Sequence, residues 1–349
     1  MTNMMPSPGN PKAGTFIEQQ IQGLRAIGED VNIVLVDRAS QGPLQYLRTK
    51  RLVKEGVRSV RPEVVHIMYG GTLAMLAATV CRGVPTVVSF CGVDLLGAPY
   101  GSLAYRVRTW LGTLASKRAA TLADAIVVKS RNLEQGLPPD IDRERVRIVP
   151  NGVSLERFRP LDRDRCRKEL GWNPSVFHVL FSTADRRDAK KRLPLAEAAV
   201  DILNQRGVVA EIHGLSRVPH EMVPTWLNAA DVVLLTSRAD EGSPNIIKEA
   251  LACDRPVVSV DVGDVKERIE GISGCHLAEP EPLDLAAKLQ VVAGGPRRVE
   301  ARARIEELSL ERVAARLQEV YAMAADVHGR RATARRSAGR RSPRVGPRE

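Results

Sequence analysis

Short runs rich in valine and isoleucine punctuate the chain, and most are followed by stretches whose apolar residues recur at helical spacing. The runs fall at 31–37 (VNIVLVD), 64–68 (VVHIM), 85–90 (PTVVSF), 125–130 (AIVVKS) and 146–150 (VRIVP), and resume at 176–182, 208–214, 231–237 and 255–260. Such short, nearly continuous apolar runs predict strands buried on both faces. Their alternation with helices predicts parallel sheets. Helices are expected near 16–27, 72–82 and 101–122. Another is expected at about 309–323, where Leu310, Val313, Leu317 and Val320 share a face.

The two series are separated by VPNGVSLERFRP, in which Asn151-Gly152 signals a turn bracketed by Pro150 and Pro160. The expected architecture is α/β: two doubly wound Rossmann-like domains with an interdomain cleft. The first spans 1–150, a linker 151–160, the second 161–308, a C-terminal helix 309–326 and a tail 327–349. In such sheets ligands bind outside the carboxyl ends of the strands, which points to the cleft. The beginning departs from this plan. A doubly wound domain opens with a strand, and here at most Met1–Met4 supply the end of one. The true coding start is expected upstream of Met1.

Composition narrows the picture. The 349 residues, 44% hydrophobic, suit two cores. No apolar run approaches the roughly 18–20 residues of a membrane span. The start shows no charged-then-apolar leader pattern, and a soluble cytoplasmic chain is expected. Five cysteines, far apart and without C-x-x-C, argue for reduced thiols rather than a disulfide framework or zinc site. The net charge of +11 is concentrated at the end: eight Arg and one Glu follow Gly329. A tail of Arg, Ser, Gly and Pro buries too little to fold, so 327–349 is expected to be disordered. It either meets anionic lipid or nucleic acid or is simply solvated. A nucleic-acid partner rests on this tail alone and is not expected. The segment 100–120 mixes Arg106, Arg108, Lys117 and Arg118 with Tyr105 and Trp110. It either rests on an anionic membrane or is a solvated helix with one packed aromatic face.

The chemistry concentrates at 240–258, DEGSPNIIKEALACDRPVV. Ser243 suits a helix cap and Pro244 the first helical position. The turn then offers backbone N–H groups at a helix start, an anion site, and Gly242 lets the backbone approach a ligand. Carboxylates do not bind phosphate, but they accept two hydrogen bonds from vicinal sugar hydroxyls. Glu249 thus suits a ribose and Glu241 a second sugar, a pattern fitting a nucleotide sugar. The alternative is a capped surface helix with incidental glutamates. The run STADRRDAKKR (182–192) offers Arg186, Arg187, Lys190 and Lys191 to a departing diphosphate, or is a solvated charge run. Gly14 precedes a helix and suits a close backbone approach. Cys91, Gly92 and Asp94 follow a strand at its carboxyl end, where Asp94 either caps the next segment or contacts substrate. Asp162-Arg163-Asp164 is read as a helix opening, not a metal motif. His66, His178 and His213 are read as core residues of strands.

Three segments together resemble the retaining glycosyltransferases of the GT-B fold with the E-x7-E signature (glycosyltransferase group 1, family 4). They are TNMMPSPGNPKAGTF as the first loop, VPNGVSLERFRP as the interdomain signature, and ADVVLLTSRADEGSPNIIKEALACDRPVVS as the donor-site signature. The resemblance runs to about residue 325 and implies roles by position. Glu249 would bind the nucleotide ribose. Glu241 with Gly242, Ser243, Pro244, Asn245 and Ile246 would meet donor sugar and phosphates. Arg187 and Lys191, or Arg186 and Lys190 in a shifted register, would neutralise the diphosphate. Gly14 would lie on the cleft floor, and no metal or cofactor is implied. The family commonly has His where this chain has Cys91, in the loop that meets the donor sugar.

The expected function is transfer of a sugar, with retention, from a nucleotide sugar to a glycan or lipid-linked acceptor of a surface polysaccharide or glycoconjugate. The alternatives are a nucleotide-sugar epimerase or hydrolase on the same fold, and a non-catalytic nucleotide-sugar-binding relative.

Overall fold

The computed structural model describes residues 1–6, 14–36, 45–183, 188–216 and 218–340. The first domain holds a parallel sheet of β1 (Val65–Met68), β2 (Thr86–Phe90), β3 (Ala125–Val128) and β4 (Val146–Ile148), in that spatial order. The second holds β5 (Phe177–Phe181), β6 (Ala210–Gly214), β7 (Val232–Leu235), β8 (Val257–Ser259) and β9 (His276–Leu277). These are all parallel, in the order β6-β5-β7-β8-β9. Strands β2, β3, β5, β7 and β8 are buried along their whole length, which is why their sequences carry no polar alternation. β9, of two residues, gave no sequence signal.

The expected strand at 31–37 does not form. A strand persists only where a neighbour satisfies its backbone groups along its length, and here Met1 and Thr2 provide that for one step. Thr2 N–H donates to Val34 O, and Val36 N–H donates to Thr2 O. On the other side, Met68 N–H donates to Met1 O, and the Met1 amino group donates to His66 O. Ile33 and Leu35 remain exposed. A cavity of about 670 Å³ adjoins this place, lined by Ile17, Leu24, Ile33, His66 and Tyr321 among others.

Helices Thr15–Ala26, Thr72–Val80 and Leu103–Leu122 lie where the periodicity put them. Helix Gln45–Val60 was not anticipated, because its many charges obscure a thin buried stripe at Thr49 and Val53. The last helix, Leu310–Arg340, opens where expected, with Ser309 Oγ accepting from Arg312 N–H. Its apolar face, including Val313, Leu317 and Val320, packs on Leu24, Val87, Ala125 and Val127 of the first domain. It also corrects the expected disorder from 327 onward, since the helix continues to Arg340. His328 and Arg331 reach back to the Asp124 carboxylate at 2.9 and 3.0 Å, and Val327 is buried. Alanine and arginine are also good helix formers. Residues 341–349 lie outside the described residues.

Candidate active site

The carboxyl ends of both sheets face a cleft of about 430 Å³. Its first-domain wall includes Thr15, Phe16, Tyr69, Cys91 and Gly92. Its second-domain wall includes Ser182, Thr183, Lys190, Lys191, the turn Glu241–Ile246, and Glu249.

Glu241 and the two lysines, read from separate segments, meet here. Lys190 Nζ lies 3.0 Å from one Glu241 oxygen and Lys191 Nζ 3.1 Å from the other. Lys191 also donates to Ser237 Oγ at 3.3 Å, and Lys190 lies 3.6 Å from Asp240. Burial alone would push the Glu241 carboxyl upward, but Lys191 and Lys190 outweigh it and hold the group below the usual carboxylate range. Burial would lower Lys190, but the Glu241 and Asp240 carboxylates outweigh it and hold the ammonium above its usual range. The result is two ammonium groups held on Glu241 at low exposure in the cleft wall, the kind of preorganised charge that stabilises a departing anion. Arg186 and Arg187 lie outside the described residues. Arg192, next in line, is turned away: its guanidinium donates to the carbonyls of Thr236 and Ser237.

Helix Asn245–Ala252 begins one residue later than expected, with Pro244 at the cap position. Ser243 does not cap it. Its hydroxyl is held between Asp264 at 3.0 Å and the buried Lys248 ammonium at 2.8 Å, and this charged pair outcompetes a backbone amide. The amides of Asn245 and Ile246 stand in the first turn, where no intrahelical acceptor exists, and both residues line the cleft. One turn on, Glu249 is 8% exposed, and its carboxylate makes no hydrogen bond among the described residues. Burial drives its pKa up to about 7, with Lys248 and Arg157 opposing.

The opposite wall is built around Asp94. This buried carboxylate accepts from the amides of Gly70, Cys91 and Gly92 at 2.7–3.2 Å. Asp94 does not cap the next segment: it lies inside the short helix Val93–Leu96, whose N-cap Gly92 has no side-chain cap, and its carboxylate instead shapes the loop before that helix. Cys91 lines the cleft, its thiol pushed up to about 12 by burial and by Asp94, so it stays neutral. Gly92 and Gly242 mesh across the domain junction. A Cβ on Gly92 would stand 2.5 Å from Asp240 O, and one on Gly242 would collide with Cys91 O. Gly14 supports the cleft rather than lining it. Thr15 and Phe16 form the surface, while Gly14 backs onto the Met4 carbonyl.

Sequence reasoning missed several participants. Tyr69, at the carboxyl end of β1, lines the cleft with φ 77°, a conformation side-chain-bearing residues seldom adopt. Lys129 is fully buried after β3, its pKa lowered by burial, and its Nζ has no hydrogen-bond partner among the described residues. A lysine closing an otherwise apolar strand run was its only signal. The Ser243–Asp264–Lys248 cluster joins segments about 20 residues apart, which periodicity cannot link. Burial brings Lys248 down to about 8.

Two family models match the chain in tandem. One, described as Glycosyltransferase Family 4, covers residues 14–157. The other, described as Glycosyl transferases group 1, covers residues 190–323. TuaC of Bacillus subtilis (strain 168), a glycosyltransferase provisionally assigned to teichuronic acid biosynthesis, is 23% identical over 76% of this chain and 81% of its own. The D-inositol 3-phosphate glycosyltransferase 1 of Catenulispora acidiphila is 32% identical over 45% of this chain and 46% of its own. The chain thus spans about half the length of that relative. Among solved structures, Anabaena Alr3699/HepE in complex with UDP and glucose superposes with a TM-score of 0.66 at 17% identity, covering 92% of this chain and 98% of that one. The chain therefore carries a glycosyltransferase family 4 domain followed by a glycosyltransferase group 1 domain on a GT-B frame, and is an enzyme of the glycosyltransferase class.

Proposed function

We propose that the protein moves a sugar from a nucleotide-sugar donor, with retention of anomeric configuration, to a glycan or lipid-linked acceptor of a surface polysaccharide or glycoconjugate. The observation that carries this reading is one cleft wall holding three complementary groups. Two lysines sit on Glu241, free amides lie at the helix start, and Glu249 follows one turn on. In this reading Glu249 accepts from the ribose hydroxyls. The amides of Asn245 and Ile246 take a phosphate. Lys190 and Lys191 neutralise the diphosphate as its bond to the anomeric carbon breaks, so the site works with lysines where other enzymes use a metal. Glu241 holds the hydroxyls of the sugar being moved. The bond from the acceptor oxygen to the anomeric carbon replaces the bond to phosphate, and the acceptor proton leaves with the diphosphate. TuaC's assignment and the UDP and glucose bound to HepE support the donor and the acceptor class.

The reading includes a peripheral contact with an anionic membrane. On helix Leu103–Leu122, Leu103, Val107, Trp110, Leu111 and Leu114 form an exposed apolar stripe, with Leu103 73% and Trp110 60% exposed. Arg106, Arg108, Lys117 and Arg118 flank it, and only Ala115, Ser116, Ala119 and Ala120 of this helix are buried. The packed-aromatic-face alternative therefore does not describe Trp110. No helix among the described residues is long and apolar enough to cross a membrane. The lipid-linked acceptor would be met at the inner face.

The test is a panel of nucleotide sugars offered to the purified protein, with and without candidate acceptors. Acceptor-dependent nucleoside diphosphate release, lost in Glu249→Ala, supports transfer, and the anomeric proton coupling of the product tests retention. Failure to bind any nucleotide sugar ends this reading.

A further inference from the structure

Away from the cleft, toward the amino-terminal end of the second sheet, three ligand-type side chains converge. His178, the second residue of β5, pairs in register with Glu211 of β6, and His213 pairs with Leu180. Side chains alternate along a strand, so His178, Glu211 and His213 share one face. Nδ1 of His178 lies 2.8 Å from Nε2 of His213, and Oε2 of Glu211 lies 3.9 and 3.7 Å from them respectively. The other His178 nitrogen, Nε2, lies 2.8 Å from the Asn173 carbonyl. A carbonyl only accepts, so Nε2 carries the hydrogen and Nδ1 of the neutral ring is an acceptor. It takes the hydrogen of His213 Nε2, and with His213 in its Nδ1–H tautomer both facing nitrogens offer lone pairs to an ion. A backbone carbonyl fixing the tautomer in this way is the usual support of a metal-ligating histidine.

We propose that His178, Glu211 and His213 form a binding site for a divalent transition metal of the zinc class, separate from the donor cleft. A tetrahedral zinc ion with bonds of about 2.0–2.2 Å sets its ligand atoms about 3.3–3.6 Å apart. The three separations here, 2.8, 3.7 and 3.9 Å, bracket that spacing. Two imidazoles and one carboxylate suit zinc and its neighbours, not magnesium or calcium. His178 is buried, while the Glu211 side chain is 56% exposed, which gives the ion an entry path and a fourth position for water. Trp172 stacks on His213 with centroids 3.8 Å apart, and Trp226 meets Trp172 edge-on at 5.4 Å. The rings pack closely around His213 and hold it in place. The site's role is structural: the ion cross-links β5 to β6, an edge strand of the sheet. The carboxyl end of β5 leads into Ser182 and Thr183 of the cleft.

The experiment uses the full chain without a histidine tag, dialysed against chelator and titrated with Zn(II) and, separately, Co(II). The expected result is one saturable equivalent, a raised Tm, quenching of tryptophan fluorescence by Co(II), and cobalt d–d bands without a thiolate charge-transfer band. Glu211→Gln, at an exposed position, and His213→Asn each remove a ligand and weaken binding by at least about 10–100-fold, the loss that removing a ligand's supporting partner alone brings, with an unchanged circular dichroism spectrum. Absence of a saturable equivalent, a thiolate band, or undiminished affinity in Glu211→Gln would overturn the assignment.

Discussion

Glu249 is caught between burial, which favours its neutral form, and a role that needs its charge. Its pKa of about 7 follows from desolvation, with Lys248 and Arg157 only partly offsetting it. The unfolded carboxyl loses its proton near about 4.3. Between these values the folded state binds more protons than the unfolded one, so this group's contribution to stability falls as pH rises from about 4.3 to about 7 and stays low above that. Glu249→Gln removes the cost of burying a charge. The variant is therefore expected to melt higher than the parent at pH 8 and about equally at pH 4, by differential scanning fluorimetry without donor. The same substitution removes the ionised acceptor for the ribose. Donor affinity of the parent should strengthen as pH rises through about 7, and that of the variant should be weak and flat. A parent whose donor affinity is unchanged between pH 6 and 8 would show that Glu249 does not bind as a carboxylate.

Among the elements, β5 depends on one buried acid. Asp231, 2% exposed, accepts from Arg167 at 2.6 Å and from the amide of His178 at 2.8 Å, with Arg163 at 3.2 Å. Removing it strands the buried Arg167 and an amide of the interior strand β5, so Asp231→Ala is expected to cost about 3–5 kcal/mol in urea unfolding. Arg297, 52% exposed at 3.4 Å, contacts the same carboxylate, and Arg297→Ala should cost about 1 kcal/mol or less. Helix Leu103–Leu122 makes the opposite case along one face: Ala119 and Ala120 pack into the first-domain core, while Leu103, Val107, Trp110, Leu111 and Leu114 are exposed. Trp110→Ser with Leu111→Ser should leave the unfolding midpoint unchanged. It should also abolish cosedimentation with vesicles containing phosphatidylserine, and equal binding by parent and variant would sink the membrane contact. Strands and helices of this kind were legible because burial on both faces writes a continuous apolar run, as at β2, β3, β5 and β7. The run at 31–37 was equally apolar yet formed no strand. Pairing depends on a neighbour distant in sequence, which a local pattern does not encode. The helical stretch 327–340 was misread for a related reason: its order comes from Asp124, some 200 residues away.

At the scale of the whole molecule, the donor turn belongs to both domains. Glu241, Glu249 and the lysines were legible from type and spacing. The pairing of Lys190 and Lys191 with Glu241, and the contacts that set the turn, were not, because they depend on how two sheets face each other. Tyr100 Oη donates to Asp240 at 2.7 Å, and Arg238 lies over the Tyr100 ring at 5.2 Å. Asn132 donates to Glu241 O at 3.2 Å, and Asn151 donates to Asn245 Oδ1 at 3.2 Å. With Gly92 against Asp240, these contacts describe a closed cleft whose second-domain wall is held by first-domain loops. Asp240 also competes with Glu241 for Lys190. Tyr100→Phe keeps the ring but leaves Asp240 without its hydroxyl donor, so Lys190 should shift toward Asp240 and away from Glu241. A hydrogen bond to a charged group contributes about 1.5–3 kcal/mol, and losing the lower figure in the closed state alone corresponds to about a tenfold drop in kcat/KM for the donor. The drop should come with an unchanged urea midpoint, because opening the cleft is not unfolding. Full kcat/KM in Tyr100→Phe would mean that turnover does not pass through this closed arrangement, whatever the roles of the residues it brings together.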